Sequence, residues 1–173
     1  MKFLKASCVV VLLLIIPALI AGQTRQFTRN DIEYVLELPS SAWRVVSRPD
    51  VHEHSEFINS GDPANGYLRL GKILVDHPTT ASELFLDEEK WRLQHLPGYV
   101  ACSECDGVPF KGRLSGAVFA YEYVTGGTTM YGRTYYLQVD PRTFYALRFT
   151  VARDKLPGIR EQMESIARSF YLK

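Results

Sequence analysis

Two short clusters in this sequence hold residue types that do chemistry. The first is Cys102-Ser103-Glu104-Cys105. A Cys-x-x-Cys spacing fits three states: a local disulfide that pins a loop, a redox couple in which one thiol of lowered pKa is the nucleophile, or a pair of free or metal-bound thiols. Thioredoxin-type couples sit at a helix N-terminus after a strand. Here the flanks, Tyr99-Val100-Ala101 and Asp106-Gly107-Val108-Pro109, read as strand and turn, and Glu104 and Asp106 would raise a thiol pKa. Those flanks favour a structural disulfide between Cys102 and Cys105. The loop it would close is so short that chain entropy adds little.

The second cluster is His52-Glu53-His54-Ser55-Glu56. Side chains alternate along a strand, so His52, His54 and Glu56 would share one face. Two imidazoles and a carboxylate suit zinc or copper, and the same residues equally suit an exposed polar strand face. No other cofactor is expected. His77 and His95 join such a site only where the fold brings them near. A third feature is diffuse. Six of the ten tyrosines fall between residues 113 and 151, with Arg133 and Arg148 set among them. Tyr121, Tyr135, Arg133 and Arg148 would make an aromatic and cationic platform for a small ligand, or else fill the core and stack at the surface. No catalytic residue is assigned. Gly-x-Ser-x-Gly, His-Glu-x-x-His, a phosphate-cradling glycine loop and a dinucleotide fingerprint are all missing from the sequence. Asp87, Glu88 and Glu89 are adjacent on a helix and fan out, so they do not form a facing acid–base pair.

The elements that must position these residues are organised around Arg113 to Val151. This stretch reads as a meander of three strands, Arg113–Val124, Thr128–Val139 and Thr143–Val151. Gly126-Gly127 supplies the positive φ a tight hairpin wants, and Asp140-Pro141-Arg142 makes the second turn. Tyr145, Leu147, Phe149 and Val151 alternate as one buried face, with Arg148 opposite. Ile32–Leu38, Val51–Ile58 and Tyr67–Val75 read as further strands. Thr80-Ala81-Ser82-Glu83 is a capping box that starts a helix running to about His95. Leu84 and Trp91 share one face of that helix, and Asp87-Glu88-Glu89-Lys90 is its solvated side. A last helix begins near Pro157, with Ile159, Met163, Ile166 and Phe170 as an apolar stripe. Strands, helix, strands, helix predict an α+β domain, an antiparallel β-sheet with helices packed against it.

The chain's 173 residues suffice for one domain with a real core, and 46% hydrophobic and 23% charged residues are ordinary for a globular protein. The N-terminus has the layout of a secretory signal peptide: Lys2 and Lys5, an apolar run from Val9 to Ile16, Pro17, then small residues at Ala18, Ala21 and Gly22. Residues 1–22 are read as the signal, 23–30 as a flexible leader and 31–173 as the single domain. Gln23 stands where a lipoprotein would carry cysteine, so lipidation is not expected. Formal net charge is +1; without Lys2 and Lys5 the basic count falls from 20 to 18 against 19 acids, about −1. Neither value points to nucleic acid, and membrane contact is expected only where the N-terminal segment is retained.

Several motifs together resemble the PsbP-like group, which includes the photosystem II extrinsic protein, the Ran-binding Mog-type protein and small secreted bacterial proteins. The opening Tyr34–Trp43, the strand–turn–strand succession ending in Phe144–Val151, and the closing Glu164–Phe170 carry the resemblance, which covers most of the chain from Ile32 onward. It implies a PsbP-like α/β/α sandwich, and no catalytic residues come with it. The expectation is an exported, secreted or periplasmic, non-enzymatic binding or assembly factor, its partner another extracytoplasmic protein or a small ligand. The alternatives are a metal-binding module on His52, His54 and Glu56 and a thiol–disulfide oxidoreductase on Cys102 and Cys105.

Overall fold

The computed structural model describes residues 24–46, 55–102 and 107–173. The expected signal segment, His52, His54 and Cys105 lie outside the described residues, as does the start of the strand expected from Val51. In chain order the strands are β1 (Arg25–Phe27), β2 (Tyr34–Leu38), β3 (Trp43–Val45), β4 (Ser55–Asn59), β5 (Tyr67–Leu74), β6 (Val100–Ala101), β7 (Val108–Lys111), β8 (Ser115–Thr125), β9 (Thr128–Asp140), β10 (Thr143–Ala152) and β11 (Tyr171–Leu172). Helix α1 (Ala81–Trp91) falls between β5 and β6, and α2 (Leu156–Ser169) between β10 and β11.

The expected meander is the centre of the molecule. β8, β9 and β10 pair antiparallel along nearly their whole length, and β5 joins on the far side of β10. The large sheet runs β3-β4-β5-β10-β9-β8-β6, with β7 also on β8; β1, β2 and β11 form a small second sheet. Gly126 and Gly127 both take positive φ, +55° and +77°, which is what the two-residue hairpin between β8 and β9 requires. At the next turn the Asp140 side chain accepts from the Arg142 backbone N–H at 2.8 Å, an Asx turn.

Both faces of the large sheet are covered. On one, α2 and the small sheet bury Tyr145, Leu147, Phe149 and Val151 of β10 against Met163, Ile166 and Phe170, the predicted stripe. On the other, α1 packs Phe85 over Ala117, Phe119, Tyr136 and Ala146. The Phe85 and Phe119 rings stack at 4.2 Å between centroids. The result is the expected α+β fold, an α/β/α sandwich on an antiparallel sheet.

Three expectations need correction. Residues 25–27 were expected in a loose leader, yet they form β1, because Phe27 inserts edge-on against Phe57 at 4.8 Å and β2 offers a free strand edge. Helix α1 stops at Trp91 and gives way to a 3-10 turn over Leu93–His95; Leu93, buried at 1% exposure, is drawn into the core there. The helix face is also different. Phe85 is its buried anchor, Trp91 is 73% exposed, and Glu88, expected in a solvated run, is turned to the sheet with 12% of its side chain exposed.

Candidate functional site

Helix α1 is held in place at its start by the predicted capping box: the Thr80 hydroxyl accepts from the Glu83 N–H, and the Glu83 carboxylate accepts from the Thr80 N–H at 2.7 Å. Phe85 fixes its rotation. That rotation carries Glu88 and Arg92, one and two turns further on, over the sheet. The sheet supplies Arg148 from β10. Its Nε donates to Glu88 Oε1 and its Nη2 to Glu88 Oε2, each at 2.9 Å, a two-pronged contact. Arg92 Nη2 and the Tyr136 hydroxyl donate to the same carboxylate. Burial alone would raise the Glu88 pKa, but Arg148, Arg92 and Tyr136 outweigh it and hold it at about 2. The Tyr136 phenol is pushed well above its ordinary value by burial and by Glu88, and burial raises Tyr121 too, although Arg92 lies beside it.

This charge cluster forms the floor of an open groove of about 700 Å³ between α1 and the strands β5, β10, β9 and β8. Tyr121 rests on Gly132, where a Cβ would come 2.3 Å from the ring; only glycine leaves that space. Tyr67 and Tyr123 stand along the sheet side of the groove and Trp91 on the helix side. Burial and Glu56 push the Tyr67 phenol up to about 12. Arg69 of β5 is the residue directly opposite Arg148 across the β5–β10 pair.

The structure divides the expected ligand platform between the two faces of the sheet. Arg148 and Tyr121 line the α1 groove. Arg133 and Tyr135 lie on the α2 face, where Tyr135 is packed against Phe110 and Phe149 in the core and the Arg133 guanidinium lies 5.3 Å from its ring. Those two pairs do not meet. Glu56, the described member of the expected metal trio, sits on β4 opposite Arg69, its carboxylate 3.9 Å from Arg69 Nε. Cys102 follows β6 and its N–H donates to Ala120 O at 2.9 Å. Among the described residues, no three His, Cys, Asp or Glu side chains gather as a metal site. Glu88, Arg92, Trp91 and Arg69 are the site residues that sequence reasoning missed. A signal for Glu88 was present: at i+4 from Leu84 and i−3 from Trp91 it belongs to the very face those two define.

This architecture is the PsbP-like fold. By sequence the chain matches no family model and no curated protein. Among solved structures it is similar to PsbP of the cyanobacterium Synechocystis sp. PCC 6803 (TM-score 0.58, 12% identity, 97% of this chain and 98% of that one). It is similar to LpqN of Mycobacterium tuberculosis, described as involved in cell envelope biogenesis (TM-score 0.54, 17% identity, 87% and 91%). It is also similar to PA94 of Pseudomonas aeruginosa, a protein of unknown function described as a putative regulator (TM-score 0.58, 12% identity, 88% and 99%). Among the described residues, no helix is long and apolar enough to cross a membrane.

Proposed function

We propose that this protein is an exported binding or assembly factor and that the α1 groove is its working surface. The observation that carries the reading is the locked cluster at the groove floor. Four donors converge on Glu88, and a carboxylate held at about 2 stays ionised through the neutral range. It is therefore poorly matched to general acid–base work, which wants a pKa near the working pH. Its effect is to fix Arg148, Arg92 and Tyr136 as a rigid, pre-organised wall, which is what a binding surface needs. Two further facts support export and a binding role: the signal-like segment at residues 1–22, and a fold shared with LpqN, described as involved in cell envelope biogenesis, and with cyanobacterial PsbP.

Native mass spectrometry of the protein isolated from its host's extracytoplasmic fraction tests this reading. The expected result is a chain cut near Gly22 that carries a co-purifying partner or ligand. Trp91→Ala removes that extra mass, and Arg160→Gln on the exposed side of α2 leaves it in place. An uncut chain found only in the cytosol, or extra mass that follows Arg160 and ignores Trp91, would overturn it.

A further inference from the structure

The groove holds more cationic donors than its own carboxylates engage. Arg69 and Arg148 are direct cross-strand partners, so both side chains rise from the same face of the sheet. Like charges in that position destabilise strand pairing. Glu88 relieves only one of them. It takes Nε and Nη2 of Arg148 and leaves Nη1 with no acceptor among the described residues. Arg92 reaches the same carboxylate through Nη2 and keeps half of its side chain, 50%, exposed. Arg69 is 46% exposed, and its ion-pair partner Glu56 stays 3.9 Å away, too far for a hydrogen bond, so its guanidinium fork is not locked as that of Arg148 is. Asp87, the other carboxylate lining the groove, is exposed and makes no ion pair among the described residues. Lys72 is held by Glu33 at 2.5 Å.

The remainder of the wall is flat and aromatic. Trp91 presents an indole that is 73% exposed, and Tyr67 and Tyr123 face the groove from the sheet. Guanidinium forks recognise planar or tetrahedral anions, and ring faces hold flat bodies at low entropic cost. A space of about 700 Å³ lies within the range of small-molecule sites. From these observations we infer that the groove binds a small organic anion with a flat ring. Its carboxylate, sulfonate or phosphate sits on Arg69, with Arg92 and Arg148 behind it, and its ring lies between Trp91 and the tyrosines of the sheet. This inference rests on the α1 groove being the working surface.

Two probes separate the anion from the ring. 8-Anilinonaphthalene-1-sulfonate carries both, and N-phenyl-1-naphthylamine has the same rings without the sulfonate. Fluorescence titration of the protein is expected to show one sulfonate probe per chain and binding of the neutral probe weaker by about tenfold or more, the scale of a charge-assisted hydrogen bond. Arg69→Gln is expected to weaken the sulfonate probe by about tenfold or more and leave the neutral probe unchanged, with Arg69→Lys intermediate. Arg69 is exposed, and circular dichroism on each variant verifies that the fold is retained. Equal affinity for both probes, or no effect of Arg69→Gln, overturns the anion. When Trp91→Ala still weakens both probes in that case, the groove remains a binding surface and only the anion falls. When neither variant changes either probe, the anion and the groove fall together.

Discussion

Replacing Glu88 with glutamine removes a negative charge from a carboxylate that Arg148, Arg92 and Tyr136 share, while nearly keeping its shape. The pKa of Glu88 in the folded protein, about 2, lies below its ordinary 4.5, so ionisation favours the folded state. That contribution is fully present above pH 4.5 and is lost as pH falls through 2. With about 1.4 kcal/mol for each tenfold change in proton affinity, it amounts to about 3 kcal/mol at neutral pH, of which about 2 kcal/mol is gone at pH 3. Only 12% of the side chain is exposed, so solvent screening leaves most of this intact. The assay is urea unfolding of the wild type and Glu88→Gln at pH 7 and pH 3. Other carboxylates titrate alike in both proteins and cancel in the difference. The stability gap between them is expected to be about 3 kcal/mol at pH 7 and to shrink by about 2 kcal/mol at pH 3. A gap that stays constant across this range refutes the argument, because the lost energy would then owe nothing to the charge on Glu88.

Gly132→Ala places a methyl 2.3 Å from the Tyr121 ring and forces it off the sheet, with an expected loss of about 1–3 kcal/mol in denaturant unfolding. Because burial is what raises the Tyr121 pKa, the displaced phenol is expected to titrate at lower pH in an ultraviolet difference titration. Phe85→Ala removes the ring stacked on Phe119 and is expected to cost about 3–5 kcal/mol by calorimetry; a loss under about 1 kcal/mol would mean that α1 is anchored by something else. Thr80→Ala breaks the capping box and is expected to cost about 1 kcal/mol. Trp91→Ala, at an exposed position, is expected to change stability by less than about 0.5 kcal/mol, measured in the same unfolding series.

What was readable in the sequence was whatever local chemistry decides. The Thr80–Glu83 box, the Gly126-Gly127 hairpin and the stripe from Ile159 to Phe170 each rest on residues within a few positions of one another, and each stands in the structure as read. Glu88 was misread because its partner is 60 residues away. A block of four charges is ordinarily solvated, and Arg148 and Tyr136, distant in sequence and set on the sheet face that α1 packs against, reverse that rule for Glu88. The two arginines and two tyrosines of the expected platform were equally opaque. Alternation assigns Arg133 and Arg148 to faces within their own strands, but only the pairing of β9 with β10 shows that those faces are opposite ones. β1 was missed because three residues offer no period, and its anchor Phe27 is explained only by Phe57.

The groove itself follows from proportions. An eleven-residue helix is about 16 Å long and about 10 Å wide, and strands lie about 4.8 Å apart, so one helix covers two or three strands. The composition of the sheet changes where that cover ends. Beneath α1 stand Ala117, Phe119, Tyr136 and Ala146, Arg148 lies at its margin in the grip of Glu88, and beyond it stand Thr150, Tyr67 and Arg69. A merely solvated margin would be satisfied by threonine, serine or charges of mixed sign. Here two arginines oppose each other across one strand pair; Glu88 grips Arg148 in a two-pronged hydrogen-bonded contact, whereas Arg69 has only the looser ion pair to Glu56 at 3.9 Å. Local conflicts of this kind persist where a site needs them, because a bound anion supplies the close hydrogen-bonded counter-charge that Glu56 does not. The Arg69–Arg148 pair is therefore the place where the stability of the free protein and the affinity for an anion are set against each other: Arg69→Gln should relieve the first while weakening the second.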